Sequence, residues 1–234
     1  MTAISKQPFP LLPPASTSDA AVIREHDWAA FQQLDTVHDH WSVKAWEPGQ
    51  AGYYWYLTFA EPAVIDLAAR CQEKLAQHGF DPVPLDGLHL TLLSLGRTDE
   101  VGGEQLNRIA DAGRRAAKAI RPFRLSVGPA TGSRSALRLS VTPWEQLLDL
   151  HGRLRTATAD HCAPGRLAET STVRPHLGIG YLNQEQDARQ LVSDVGALRG
   201  LLPATVRVQR IQLVEVWRAG RAYRWHEHAS IPLG

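Results

Sequence analysis

The sequence predicts an α+β fold of two similar lobes, each an antiparallel sheet with helices on its outer side, facing each other across a groove. Three observations predict this class. The order strand–helix–strand–helix–strand occurs twice, about 85 residues apart, as expected of an internal duplication. The middle strand of each repeat begins with a histidine, at His89 and His176. The junctions from first strand to first helix, Tyr56–Pro62 and Arg138–Pro143, also look alike.

Size and charge are those of an ordinary globular protein. The 234 residues are ample for a hydrophobic core. Lys and Arg number 25 against 24 Asp and Glu, giving a net charge of +1. This near-neutral balance argues against coating long nucleic acid, which requires many phosphate contacts. It is compatible with a short phosphate-bearing ligand in a local pocket.

The chain carries two cysteines and no membrane signal. Cys71 and Cys162 lie in helix-like segments and are expected to be reduced packing residues. No apolar run approaches the ~20 residues of a spanning helix, and the N-terminus lacks a basic-then-apolar leader pattern. We therefore expect a cytoplasmic protein that does not bind a membrane. The sequence indicates no obligate protein partner.

The first 50 residues precede the repeats. Residues 1–18 contain four prolines and predict a flexible tail. Ser18 or Asp19 is placed to cap a helix that runs to about Val37. A Trp-rich loop follows and ends near residue 50. The predicted organisation is thus a tail over 1–18, a helix and loop over 19–50, and a bilobal domain over 51–234.

The two repeats supply the remaining elements. In the first, Pro62 opens a helix to about His78, as proline favours the first helical turn. Its elements are strands over Tyr53–Phe59, His89–Gly96 and Phe123–Val127 and helices over 61–78 and 103–120. In the second they are strands over Ala136–Val141, 176–181 and Val206–Trp217 and helices over 143–162 and Glu185–Leu198. A last strand over Arg221–Ile231 is expected to pair with Val206–Trp217 through a turn at Ala219-Gly220.

Alternation along the histidine strands selects the residues that share a face. His89 and Thr91 lie on one face of the first strand, opposite Leu90 and Leu92. In the second strand one face holds Arg174, His176 and Gly178, with Tyr181 on the opposite face while the strand stays regular. Two such strands would form the two walls of one cleft.

A pair of histidines suits displacement at phosphorus. With an unperturbed pKa of about 6.5, one imidazole can be neutral and the other protonated at the same pH. One takes a proton from the attacking oxygen and the other gives one to the leaving oxygen. Thr91 could bind a phosphate oxygen, and Arg174 could supply a planar charged clamp. The sequence leaves open which histidine is the acid.

These residues resemble the two-histidine (2H) phosphoesterase superfamily, and more closely its bacterial 2'-5' RNA ligase and 2',3'-cyclic phosphodiesterase branch, over about residues 38–234. His89-Leu90-Thr91-Leu92 matches the first motif, and Arg174-Pro175-His176-Leu177 the lead-in to the second. The resemblance implies cofactor- and metal-independent opening of 2',3'-cyclic phosphates on RNA ends or small nucleotides to 2'-phosphates. Reverse ligation of RNA ends is implied as well.

The chain departs from the family at Gly178, where the second motif expects Thr or Ser. Gly178 leaves the cleft wall bare, so that a ligand or water can approach the backbone. The departure also motivates an alternative, a non-catalytic nucleotide or RNA-end binder that keeps the cleft.

Two further features have alternative interpretations. The pairs His38-x-His40 and His226-x-His228 could each place two imidazoles on one face, as a zinc site requires, but no cysteine or carboxylate spacing completes such a site. Trp41, Trp46 and Trp55 are expected to pack the N-terminal segment onto the first lobe, or to stack on a base.

Overall fold

Two antiparallel sheets form the body of the protein in the computed structural model, which describes residues 7–44, 46–163 and 165–234. The first sheet contains β2 (Ala51–Thr58), β4 (His89–Arg97), β10 (Arg210–Ala219) and β11 (Ala222–Pro232), in the order β11-β10-β2-β4. The second contains β3 (Phe80–Pro82), β5 (Phe123–Gly132), β6 (Ala136–Thr142), β7 (His176–Leu182) and β9 (Ala204–Val208), in the order β3-β7-β6-β5-β9. Two short strands, β1 (Thr36–Val37) and β8 (Gln186–Asp187), pair separately.

The described part of the chain has six α-helices: α1 (Ala20–Gln32), α2 (His40–Val43), α3 (Pro62–Lys74), α4 (Gly103–Ala117), α5 (Glu145–Thr158) and α6 (Arg189–Leu198). Helices α4 and α5 pack on the first sheet, whereas α1, α3 and α6 pack on the second. The two repeats exchange helices, because α3 follows β2 yet packs against β7 and β9, and α5 follows β6 yet packs against β4. The predicted fold class, two antiparallel sheets with outer helices, is confirmed.

One predicted strand is divided between the two sheets. The single strand expected over Val206–Trp217 is wrong: β9 pairs with β5, whereas β10 pairs with β2. The burial pattern explains the division. Val206 and Val208 are buried, and the next buried residue is Ile211. A step of three residues cannot stay on one face of a regular strand, so the chain changes sheets at Gln209.

All five predicted helices are shorter in the structure, and in two of them a short strand takes the missing residues. Asp19 caps α1 as expected, accepting from the backbone N–H groups of Ala21 and Val22. The helix ends at Gln32 rather than near Val37, because the next residues form β1. The last helix likewise begins at Arg189 rather than near residue 185, because β8 precedes it.

The described part of the predicted flexible tail lies against the second sheet. Carbonyl oxygens of Phe9, Pro10 and Leu11 accept hydrogen bonds from the guanidinium groups of Arg138 and Arg174. The expectation of a free tail is therefore corrected for this stretch, because these half-buried arginines need acceptors and the carbonyls supply them. The first six residues lie outside the described part of the chain.

Both cysteines are free thiols, and Cys71 is fully buried in the core. Within the described ranges, no helix is long and apolar enough to cross a membrane.

Candidate active site

The histidine strands β4 and β7 run beside each other where the two sheets meet. His89 and His176 line one cavity of about 300 Å³ between them, together with Thr91 and Gly178. Four of the five residues predicted for the site are thus brought together, and the predicted groove contains them.

Both imidazoles are oriented in the same way. The Nδ1 atom of His89 lies 2.8 Å from the carbonyl oxygen of Gly87, and that of His176 lies 2.7 Å from the carbonyl oxygen of Arg174. A carbonyl only accepts hydrogen bonds, so Nδ1 carries the proton in each ring. In the neutral form, Nε2 is then the nitrogen available to accept a proton.

Each histidine strand contains a β-bulge three residues after its histidine. Leu92 in β4 and Ile179 in β7 are extra residues without a partner in the neighbouring strand. A bulge interrupts the alternation of side chains. Tyr181 therefore lines the cavity together with His176, and its predicted position on the opposite face is wrong.

Because the bulge lies at the same distance from the histidine in both strands, each position on one wall has an equivalent position on the other. Tyr56 pairs with Thr91 across the first sheet, and Arg138 pairs with Gly178 across the second. The first wall is uncharged: the Tyr56 ring stacks on His89 with centroids 4.2 Å apart and an interplanar angle of 7°, and it shares a hydrogen bond with Thr91. The second wall has an arginine and no side chain at the glycine.

Arg138 is a site residue that the sequence analysis missed. Its Nη1 donates to the Phe9 carbonyl at 3.3 Å, and its buried Nε has no hydrogen-bond partner within the described ranges. Burial lowers its pKa to about 10, which leaves the guanidinium charged at neutral pH. The similarity of the junctions at Tyr56 and Arg138 was the available signal, since it places these two residues at equivalent positions.

Arg174 occupies a different place from the one predicted. Its guanidinium donates to the carbonyls of Ser171 and Val173, and also to those of Pro10 and Leu11. It lines a neighbouring cavity of about 190 Å³ rather than the cavity between the histidines. The cation on the wall beside His176 is instead Arg138.

The two histidines differ in their electrostatic surroundings. Burial, together with the nearby charge of Arg138, lowers the pKa of His176 to about 3. The pKa of His89 is lowered by burial, while its bond to the Gly87 carbonyl opposes that shift. In the ligand-free protein both rings are therefore neutral at neutral pH, and His176 resists protonation through an adjacent cation as well as through burial.

Aromatic side chains line the rest of the cavity. They are Trp46, Tyr54, Tyr56, Tyr181 and Tyr223, with His40 beside them. Of the three tryptophans discussed above, only Trp46 borders the cavity. Trp55 is fully buried in the core, and Trp41 is buried against Tyr181 and Tyr223.

The two histidines of the His38-x-His40 pair contact different residues. His38 Nδ1 lies 3.0 Å from a Glu185 carboxylate oxygen, whereas His40 Nε2 lies 3.3 Å from the Tyr223 hydroxyl. In the described part of the chain, no group of three or more His, Cys, Asp or Glu side chains is arranged to hold a metal ion.

The groove between the two antiparallel sheets thus has one histidine on a bulged strand of each wall. Residues 60–219 match the family model of the 2'-5' RNA ligase superfamily. The chain belongs to this superfamily. Membership supports a phosphodiesterase-type function.

Solved structures share the fold. LigT from E. coli in complex with 3'-AMP is 20% identical with a TM-score of 0.57, and the match covers 79% of this chain and 98% of LigT. A protein from Thermus thermophilus is 21% identical with a TM-score of 0.58, covering 79% of this chain and 97% of that one. A further structure, described as a phosphoesterase, is 19% identical with a TM-score of 0.58 and coverages of 79% and 98%. No curated protein sequence matches the chain significantly.

Proposed function

We propose that the protein is a metal-independent phosphodiesterase that opens 2',3'-cyclic phosphates of RNA ends or nucleotides to 2'-phosphates. With the 5' hydroxyl of a second RNA end in place of water as the nucleophile, the same opening joins the two ends through a 2'-5' phosphodiester, and the reverse step cleaves that bond. One observation carries the proposal: two imidazoles, each fixed through Nδ1 by a backbone carbonyl, line opposite walls of one cavity. This arrangement presents two proton-transfer atoms to a single phosphorus.

The cations and hydroxyls of the walls suit the phosphate. Arg138 projects a charged guanidinium beside Gly178, where the family motif has a hydroxyl. Thr91 offers its hydroxyl from the other wall and is exposed to the cavity. An arginine–phosphate contact is among the stronger hydrogen-bonding arrangements in proteins. We therefore assign the non-bridging oxygens to Arg138 and Thr91.

The charge of Arg138 divides the roles of the histidines. His176 stays neutral beside this cation, so its Nε2 takes a proton from the attacking water. The water oxygen bonds to phosphorus as the bond from phosphorus to the 3' oxygen breaks. His89, protonated through the negative charge of the bound phosphate, gives the Nε2 proton to that oxygen. The product is a 2'-phosphate with a free 3' hydroxyl.

The aromatic part of the cavity suits a nucleobase. Trp46, Tyr54 and Tyr223 provide ring surfaces next to the catalytic pair, and stacking on aromatic side chains contributes about 1–3 kcal/mol per base. LigT, which shares the fold, has been crystallised with 3'-AMP, with ATP and with NADP+. A net charge of +1 favours small nucleotides or short RNA ends over long RNA.

Product analysis tests the proposal. Each of the four nucleoside 2',3'-cyclic phosphates is incubated with the protein and a chelator, and the products are separated by anion-exchange chromatography. We expect the 2'-phosphate as the product. His38→Ala is the matched control for His89→Ala and His176→Ala. It removes an imidazole paired with Glu185 outside the cavity and should retain turnover.

The alternative, a non-catalytic binder of nucleotides or RNA ends, is favoured by Gly178. It predicts saturable binding of 2'-AMP without conversion of any cyclic substrate. Formation of the 3'-phosphate, or turnover that requires an added metal, would instead contradict the proposed chemistry.

A further inference from the structure

A second cavity adjoins the catalytic one on the far side of His176. It has a volume of about 190 Å³, and both cavities are bordered by Lys44, Ser135, Arg138 and His176. Its outer wall is formed by residues 7–9 of the N-terminal segment and by Arg134. Because these four side chains border both cavities, the two cavities are direct neighbours.

The second cavity has a strongly positive lining. Four of its lining residues are cationic and, within the described part of the chain, none is Asp or Glu: the cations are Lys44, Arg134, Arg138 and Arg174. The Asp27 carboxyl group borders a separate small cavity that also contains Arg138, and it accepts a hydrogen bond from Ser140 at 2.8 Å.

The hydrogen-bonding capacity of the arginines also favours a negatively charged ligand. Arg138 donates only one hydrogen bond within the described ranges, from Nη1 to the Phe9 carbonyl, so its guanidinium keeps donor capacity for a ligand. The Arg134 guanidinium lies 4.9 Å from the centre of the Phe9 ring, which holds it at the cavity wall. Such a cavity is built for an anion.

We propose that this second cavity binds a second phosphate group of the substrate, covalently linked to the nucleoside whose cyclic phosphate lies between the histidines. The inference rests on the proposed function for the position of the cyclic phosphate. The second phosphate has two chemical sources, the 5'-phosphate of a mononucleotide and the phosphodiester upstream of an RNA end. The N-terminal segment and Lys44, which lie before the family match at 60–219, help to build this subsite.

Three substrates distinguish the sources: adenosine 2',3'-cyclic phosphate, its 5'-phosphorylated form, and a diadenylate ending in a 2',3'-cyclic phosphate. We expect the second phosphate to raise kcat/KM roughly tenfold or more, the effect of one or two charge-assisted hydrogen bonds. A gain with the 5'-phosphate alone identifies a monoester site, and a gain with the diadenylate identifies a phosphodiester site. Equal kcat/KM for all three substrates overturns the inference.

Variants locate the effect. In Arg134→Gln, the ratio of kcat/KM with and without the second phosphate should fall towards one. Arg207→Gln removes an exposed arginine of β9 that borders neither cavity, and should leave that ratio unchanged. An unchanged ratio in Arg134→Gln contradicts the assignment to this cavity.

A binding measurement separates the subsite from the catalytic proposal. Calorimetry compares adenosine 2',5'-bisphosphate with adenosine 2'-monophosphate and requires no turnover. Tighter binding of the bisphosphate that is lost in Arg134→Gln supports the subsite even if no cyclic substrate is opened. Equal affinities exclude a monoester site, and together with no gain from the diadenylate they overturn the inference.

Discussion

The substitution Gly178→Ser tests how the second wall holds phosphate. A Cβ added at Gly178 meets no atom within 4 Å, and this glycine is not among the residues with positive φ. A serine therefore fits without steric clash or backbone strain. Replacing a glycine whose backbone suits any residue also reduces the entropy of the unfolded chain, which stabilises by about 0.4–1 kcal/mol.

The expected gain follows from the contact that the hydroxyl adds. A hydrogen bond to a charged group contributes about 1.5–3 kcal/mol, or roughly tenfold to a hundredfold in affinity. Arg138 already serves this wall, so we expect a gain in kcat/KM at the lower end of that range for Gly178→Ser alone. Arg138→Gln should lose a comparable factor, and Gly178→Ser should recover more in that background than in the natural chain.

The assay is kcat/KM for a nucleoside 2',3'-cyclic phosphate across this double-mutant cycle, with thermal melting as the check on folding. Gly180→Ser is the matched control, because its Cβ would lie 2.5 Å from Cδ2 of Phe80. Overpacking of this kind costs about 1–3 kcal/mol, so the melting temperature should fall. A folded Gly178→Ser that loses activity, or a folded Arg138→Gln that keeps it in full, would refute the reasoning.

Two further predictions concern the first wall and acid stability. Thr91→Val keeps the shape of an exposed strand residue but removes its hydroxyl, so kcat/KM should fall by about tenfold or more. Thermal melting measures separately the stability lost with its hydrogen bond to Tyr56, and unchanged kinetics would remove Thr91 from the phosphate site. Burial lowers the pKa of His40 and of His176 to about 3, from an ordinary value of 6.5. Between pH 3 and 6.5 the unfolded chain therefore binds protons that the folded protein does not. The free energy of unfolding falls as the pH falls through this range. The pKa of Asp27 is raised to about 6 from 3.8, so protonation of this group stabilises the folded protein as the pH falls. The urea midpoint should therefore decline below pH 6.5, and more steeply in Asp27→Asn. A midpoint that rises on acidification would contradict this prediction.

The local signals of the sequence were sufficient for the elements that carry the histidines. Alternation around His89 and Thr91 predicts their shared face, and the repeat predicts that His176 lies on an equivalent strand. These inferences hold because side-chain direction within a few residues of a strand depends on local geometry. The pairing of the two walls across one cavity followed from the duplication.

The remaining parts of the site depend on contacts between distant segments. Tyr181 reaches the cavity because β7 bulges where it pairs with β6, which alternation alone does not indicate. Arg138 matters because strand pairing places it opposite Gly178. Arg174 is diverted by the carbonyls of an N-terminal segment more than 160 residues away in sequence.

The central claim is that the two imidazoles perform both proton transfers without a metal. Its most direct test is the single-turnover rate of opening of a nucleoside 2',3'-cyclic phosphate in the presence of a chelator, for the natural chain, His89→Ala and His176→Ala. We predict that the natural chain is unaffected by the chelator and that each variant, still folded and still binding 2'-AMP, slows by about 10²–10⁴-fold. Loss of the natural activity with the chelator, or a full rate in either variant, would contradict the account.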